Sequence, residues 1–177
     1  MRDLAQKWSP VPDWRTETIA AAGLSIRSLQ GFNQCLVSGS LAAWAKALVT
    51  AVQPVGALSI ATGARYALSV ARGRILAVSE VNFDVEPGWH DEGFAVSTFD
   101  AGLHMFEIEG EGLAELWGRA TTLDAKESTP SAAILFAGAN VICCRHGHGN
   151  RLRIHVDRGL APYLWKWLEQ ATYRLSA

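Results

Sequence analysis

Apolar residues recur at every third or fourth position in three stretches of the chain. Leu41, Trp44, Ala45, Leu48 and Val52 make the first stripe, and Leu113, Leu116, Trp117 and Ala120 the second. Leu160, Tyr163, Leu164, Trp167, Leu168, Ala171 and Leu175 make the third. Such spacing lays each set along one side of an α-helix. Ser40 stands where the first helix needs an N-cap, and Gln53-Pro54 stops it. Pro162 falls in the first turn of the last helix, where its missing N–H costs nothing. Elsewhere the apolar runs are short and suit strands. They cover residues 24–29, 34–38 and 103–109, and the segments "AAILFAG", "NVICCRH" and "RLRIHV". "RYALSV" and "RILAVSEV" form a hairpin through Ala71-Arg72-Gly73. Residues 82–94, with Pro87-Gly88 and four carboxylates, read as a loop.

Two rounds of strand, Gly or Ser, helix and strands thus follow one another, a repeat of elements rather than of residues. The order predicts an α+β two-layer sandwich of two halves with a mainly antiparallel sheet. The halves run from about 21 to 81 and 95 to 177, joined by the 82–94 loop into one domain. Residues 1–20, which hold Pro10 and Pro12, form an N-terminal arm.

Charge narrows the partners. Sixteen Lys and Arg against seventeen Asp and Glu leave a net charge of −1, with no basic excess for nucleic acid or anionic lipid. The longest apolar run, residues 41–52, is too short to cross a bilayer and is interrupted by Lys46. No signal peptide is apparent, and three cysteines make a poor disulfide framework, so a reduced, cytoplasmic protein is expected. Seven tryptophans are many for this length; some belong to the core, and a surplus also suits contact with other chains.

The densest chemistry lies in "VICCRHGHGNRLRIHVDR", residues 141–158. A hairpin in which His146 opposes Arg151 places Val141, Cys143, Leu152, Ile154 and Val156 on one face. Cys144, His146, Arg151, Arg153 and His155 then share the other. The first face reads as core and the second as a basic outer surface. Two arginines among the would-be ligands oppose a divalent metal, and adjacent cysteines send their thiols to opposite faces, unlike C-x-x-C. No dinucleotide, phosphate-loop or nucleophile-elbow motif occurs. The His90, Asp91, Glu92 cluster cannot aim three consecutive side chains at one point. Expected catalytic residues and metal ligands are therefore none. Trp165, displaced by about 100° per residue from its neighbours, falls at the edge of the last helical stripe or beyond it. Candidate contacts with partners are Trp165, Trp89, and the outward Arg151, Arg153 and His146 of the hairpin.

The C-terminal half carries a resemblance. Val96-Ser97, Gly110, Leu116 and Leu123-Asp124, followed by Arg158, Ala161 and Tyr163-Leu164-Trp165-x-Trp167-Leu168, are similar to the γ-subunit family of heterotetrameric sarcosine oxidases. The likeness spans about residues 96–171; Ala95 replaces an Asp of the family and Gly159 its N-capping Ser. It implies the aminomethyltransferase-like (T-protein-like) folate-binding fold, built of two ferredoxin-like halves. It also implies a non-catalytic subunit of an oxidoreductase complex that oxidatively demethylates a small N-methyl amine in one-carbon metabolism. FAD, FMN, NAD and tetrahydrofolate would then sit on partner subunits and none on this chain. Two alternatives remain: a stand-alone tetrahydrofolate-binding aminomethyltransferase-like protein, and a purely structural homo-oligomer.

Overall fold

The hairpin whose second face reads as solvent-facing in the sequence is buried on both sides, and this organises the molecule. The computed structural model describes residues 11–48, 52–127 and 129–176. In chain order the elements are β1 (Thr18–Ala21), β2 (Leu24–Leu29), β3 (Asn33–Gly39), α1 (Leu41–Ala47), β4 (Pro54–Val55), β5 (Ile60–Ala61), β6 (Arg65–Ala71) and β7 (Arg74–Ser79). There follow β8 (Gly88–His90), β9 (Phe94–Thr98), β10 (Leu103–Gly110), α2 (Leu113–Ala120), β11 (Ala133–Phe136), β12 (Ala139–His146), β13 (His148–Asp157) and α3 (Ala161–Ser176). One sheet has the order β1-β2-β10-β13-β12-β11, with β5 added beside β12; the other runs β4-β6-β7-β3-β9-β8. Pairing is antiparallel except for β5 on β12 and β4 on β6.

The repeat of elements is real and interleaved. The strand rows β2-β10-β13-β12 and β9-β3-β7-β6 correspond one to one, and α2 follows β10 as α1 follows β3. Each leading hairpin crosses over: β1–β2 precedes β3 but pairs with β10, and β8–β9 precedes β10 but pairs with β3. Residues 82–94 therefore include β8 and the start of β9 rather than a loop alone. The crossing is locked symmetrically. Gly39 ends β3 at φ 103° and Gly110 ends β10 at φ 140°. A Cβ on Gly39 would run into the carbonyl oxygen of Gly93, and one on Gly110 into that of Gly23. Only glycine serves where a left-handed residue meets backbone this closely.

The expected two layers become four. Leu113, Leu116, Trp117, Leu164 and Leu168 of α2 and α3 pack on Phe106, Val141, Cys143, Leu152 and Ile154 of the first sheet. The opposite face of that sheet, including Cys144, meets Tyr66, Leu68, Leu76 and Val78 of the second. Trp44 of α1 and Leu48, which ends it, cover that second sheet's outer face at Val37, Ala67, Ile75 and Ala77. Where α2 and α3 pair on one side, the other half has only α1, with Phe83 and Val85 of the connecting segment tucked beside it.

The last helix buries a different stripe from the one its sequence suggests. Ala161, Leu164, Trp165, Leu168, Ala171 and Thr172 face inward, whereas Tyr163 is 50% and Leu160 42% exposed. Tyr163 sits at the rim because its hydroxyl donates to the carbonyl of Ala137 at 2.7 Å. Asp157 accepts from the N–H of Gly159 at 2.8 Å and so caps the chain entering this helix. Of the N-terminal arm, residues 1–10, and Trp8 with them, lie outside the described residues; Trp14 docks on the first sheet.

Candidate functional site

Antiparallel register lines up side chains from four strands in rows on the face between the sheets. Arg27, Glu107, Arg153 and Cys144 form one row across β2, β10, β13 and β12; Leu29, Met105, His155 and Ile142 form the next. Glu107, whose side chain is 2% exposed, accepts from Arg27 Nη2 at 2.7 Å and from Arg153 Nε at 3.0 Å. Burial alone would raise its pKa, but the two guanidinium groups outweigh burial and hold the carboxyl below the usual range. The Arg153 guanidinium also lies over the rings of Phe32, at 5.2 Å, and Tyr66, at 5.5 Å. One row further out, Glu109 takes two hydrogen bonds from Arg151, both at 3.0 Å, with His148 at 3.2 Å.

A neutral relay continues inward. His155 Nδ1 lies 2.6 Å from Gln34 Oε1, and its Nε2 lies 3.4 Å from the Tyr66 hydroxyl, which reaches the Met105 sulfur at 3.6 Å. With Gln34 Oε1 as acceptor, Nδ1 carries the proton. Burial, and then the charge of Arg153, push the His155 pKa down to about 3. The three thiols are equally quiet: burial lifts Cys35 to about 11 and Cys144 to about 12, and Cys143 higher still. A thiol so held stays protonated at neutral pH and is a poor nucleophile. Among the described residues, no group of three or more His, Cys, Asp or Glu could hold a metal ion.

Gln34 and Met105 also line a cavity of about 430 Å³. Its walls come from Trp14, the β2–β3 turn at Leu29, Gly31 and Phe32, and the segment from Asp100 to Met105. Arg158 stands at its side and donates from Nη2 to the Asp100 carbonyl oxygen at 3.2 Å. His104 lines it too, with Nε2 3.0 Å from the Ser28 hydroxyl; burial, and then Arg158, lower its pKa to about 4.

The sequence-based candidates are thereby dispersed. The register of the 141–158 hairpin holds from Val141 to Arg145, with Cys144 opposite Arg153, and a bulge at Arg145/His146 pairs His146 with His148. The face expected to be a basic surface is interior. Arg153 is 7% and His146 8% exposed, each charge or ring edge meeting the other sheet or β5's loop, as His146 Nε2 meets the Gly63 carbonyl at 3.0 Å. Arg151 is half-buried and paired with Glu109. Trp165 is buried at 2%, edge-on to Trp14 at 5.8 Å and beside Phe106 at 5.6 Å, so the arm covers it and it is a core residue of this chain. Trp89, on the edge strand β8, is 70% exposed. Reading by segment missed Gln34, Tyr66, Arg27 and Glu107. A signal for the last existed: Glu-x-Glu at 107–109 complements Arg-x-Arg at 151–153 with the same period of two.

No protein-family model matches the chain, and no curated protein matches it. A solved structure does. A chain of the heterotetrameric sarcosine oxidase from Corynebacterium sp. U-96, in a structure in complex with pyrrole 2-carboxylate, superposes with a TM-score of 0.71 at 18% identity. The match covers 93% of this chain and 91% of that one. The likeness is one of fold. No described helix is long and apolar enough to cross a membrane.

Proposed function

We propose that this protein is an accessory, γ-like subunit of a heterotetrameric sarcosine-oxidase-type flavoenzyme of the cytoplasm, which oxidatively demethylates a small N-methyl amine. The chain itself does no chemistry, and FAD, FMN, NAD and tetrahydrofolate reside on its partners. One observation carries this reading: the fold matches a chain of such an enzyme over 93% of this chain and 91% of that one. The interior supports it, because its carboxylates are paired with arginines and its central histidine is neutral. Glu107 is spent on Arg27 and Arg153, Glu109 on Arg151, and His155 is held neutral between Gln34 and Tyr66. Exposed Trp89 on the edge strand of the second sheet offers an aromatic anchor for a partner.

Folate fits poorly here. Reading a pterin edge, with its two adjacent N–H donors, needs both oxygens of a carboxylate in a polar pocket. In the cavity the carboxylate is Asp100, one oxygen of which already accepts the backbone N–H of Gln34. Tetrahydrofolate is expected to give no micromolar binding by calorimetry on the isolated chain.

The test is co-purification. Tagged protein captured from its own cells should bring down larger chains with flavin absorbance and N-methyl amine oxidase activity. Recovery of the chain alone and colourless would contradict the proposal.

A further inference from the structure

The cavity beside the β2–β3 turn plays no part in the subunit reading, yet its lining carries two opposite charges. Arg158 donates to the Asp100 main-chain carbonyl, which fixes the guanidinium beside the cavity without neutralising it. Asp100 uses one carboxylate oxygen for the N–H of Gln34. Among the described residues neither side chain forms an ion pair, although the two are neighbours. Behind them stands an apolar wall of Trp14, Leu29, Phe32, Leu103 and Met105. His104 adds a neutral imidazole whose Nε2 is taken by Ser28. A volume of about 430 Å³ suits a small molecule.

From this arrangement we infer that the cavity binds a free α-amino acid with an apolar side chain. Its carboxylate meets the planar fork of Arg158, its ammonium group meets Asp100, and its side chain lies against Trp14 and Phe32. A guanidinium reads a carboxylate through paired N–H donors, and a carboxylate reads an ammonium group as a charge-assisted acceptor. A simple anion would leave Asp100 facing like charge, and a simple cation would do the same to Arg158. A zwitterion satisfies both at once, and a site built to pair a charge rejects the analogue lacking it.

Isothermal titration of the full chain with L-phenylalanine, phenylalaninamide and 3-phenylpropionate tests this directly. The amide lacks the carboxylate and the propionate lacks the ammonium group. Phenylalanine should give a saturable heat, and each relative should bind at least about tenfold more weakly. Arg158→Gln should weaken phenylalanine about tenfold while leaving the amide unchanged. Asp100→Asn keeps an oxygen for Gln34 and should weaken phenylalanine while leaving the propionate unchanged. Three results would overturn the inference: no saturable heat with phenylalanine, equal affinity for all three ligands, or full affinity in both variants. Circular dichroism checks that the variants fold; if Asp100→Asn does not, the three ligands on the unaltered chain and Arg158→Gln decide. The titration uses the chain alone, so its failure leaves the subunit proposal standing, and failed co-purification leaves this site standing.

Discussion

Replacing Trp165 with alanine removes the centre of an aromatic cluster. The indole is 2% exposed and bridges the docked arm to the sheet, with Trp14 edge-on at 5.8 Å and Phe106 at 5.6 Å. Burying an aromatic side chain removes about 150–250 Å² from water, which at about 25 cal/mol per Å² is worth roughly 4–6 kcal/mol as an upper estimate. Core Trp-to-Ala changes cost about 3–5 kcal/mol in practice. In a chain of this size each kcal/mol lowers the melting temperature by roughly 2–4 °C, so Trp165→Ala should melt about 6–20 °C early. Trp167 is only partly buried, edge-on to Phe136 at 5.9 Å, and its truncation should cost roughly half as much. Because Trp14 loses one of its three ring partners, the first variant should also expose more of that indole, read as a red shift in emission. Paired thermal melts settle the matter. Equal losses, or a larger one for Trp167→Ala, would refute the placement of Trp165 in the core.

Other perturbations follow from the same packing. Glu107→Ala leaves Arg153 buried without its carboxylate and should cost about 3–5 kcal/mol in urea unfolding; a loss under about 1 would deny the pair its role. His155 binds its proton at about pH 3 when folded and at about 6.5 when unfolded, so its contribution is complete above about 6.5 and declines as pH falls toward 3. The melting temperature should slope downward through that window, and a His155→Gln variant with an unaltered slope would contradict this. Gly110→Ala, which drives a Cβ into the Gly23 carbonyl from a positive φ, should cost about 2 kcal/mol or more by the same denaturation assay. The three thiols should resist a disulfide reagent in the native state and react once urea unfolds the chain; rapid native labelling would refute their burial.

Much of this fold was legible because local patterns and tertiary structure agree. The stripe at Leu113–Ala120 and the hairpin through Ala71-Arg72-Gly73 appear where spacing placed them, as does the strand at 24–29, and the strand expected at 103–109 runs one residue further, to Gly110. The recurrence of strand, glycine and helix survives as Gly39 before α1 and Gly110 before α2. Stacking of the two sheets was not legible. "RLRIHV" alternates polar and apolar as a half-solvated strand does, yet its polar positions are paired from β3, β6 and β10, which are remote in sequence. A buried ion pair looks like surface until its partner is known. The α3 stripe failed for a related reason: Tyr163 and Leu160 are apolar enough to count inward, but a hydroxyl tied to Ala137 and the turn at Arg158–Leu160 rotate the helix so that Trp165 enters the core instead. Of the partner-facing candidates, Trp89 keeps the exposure that such a role needs.

The subunit proposal rests most directly on the composition of the native particle. Native mass spectrometry of the protein captured from its own cells should show one assembly containing this chain of 19.1 kDa, flavin-bearing chains and bound flavin in fixed ratio. A particle made of this chain alone, whether monomer or homo-oligomer, would contradict the account.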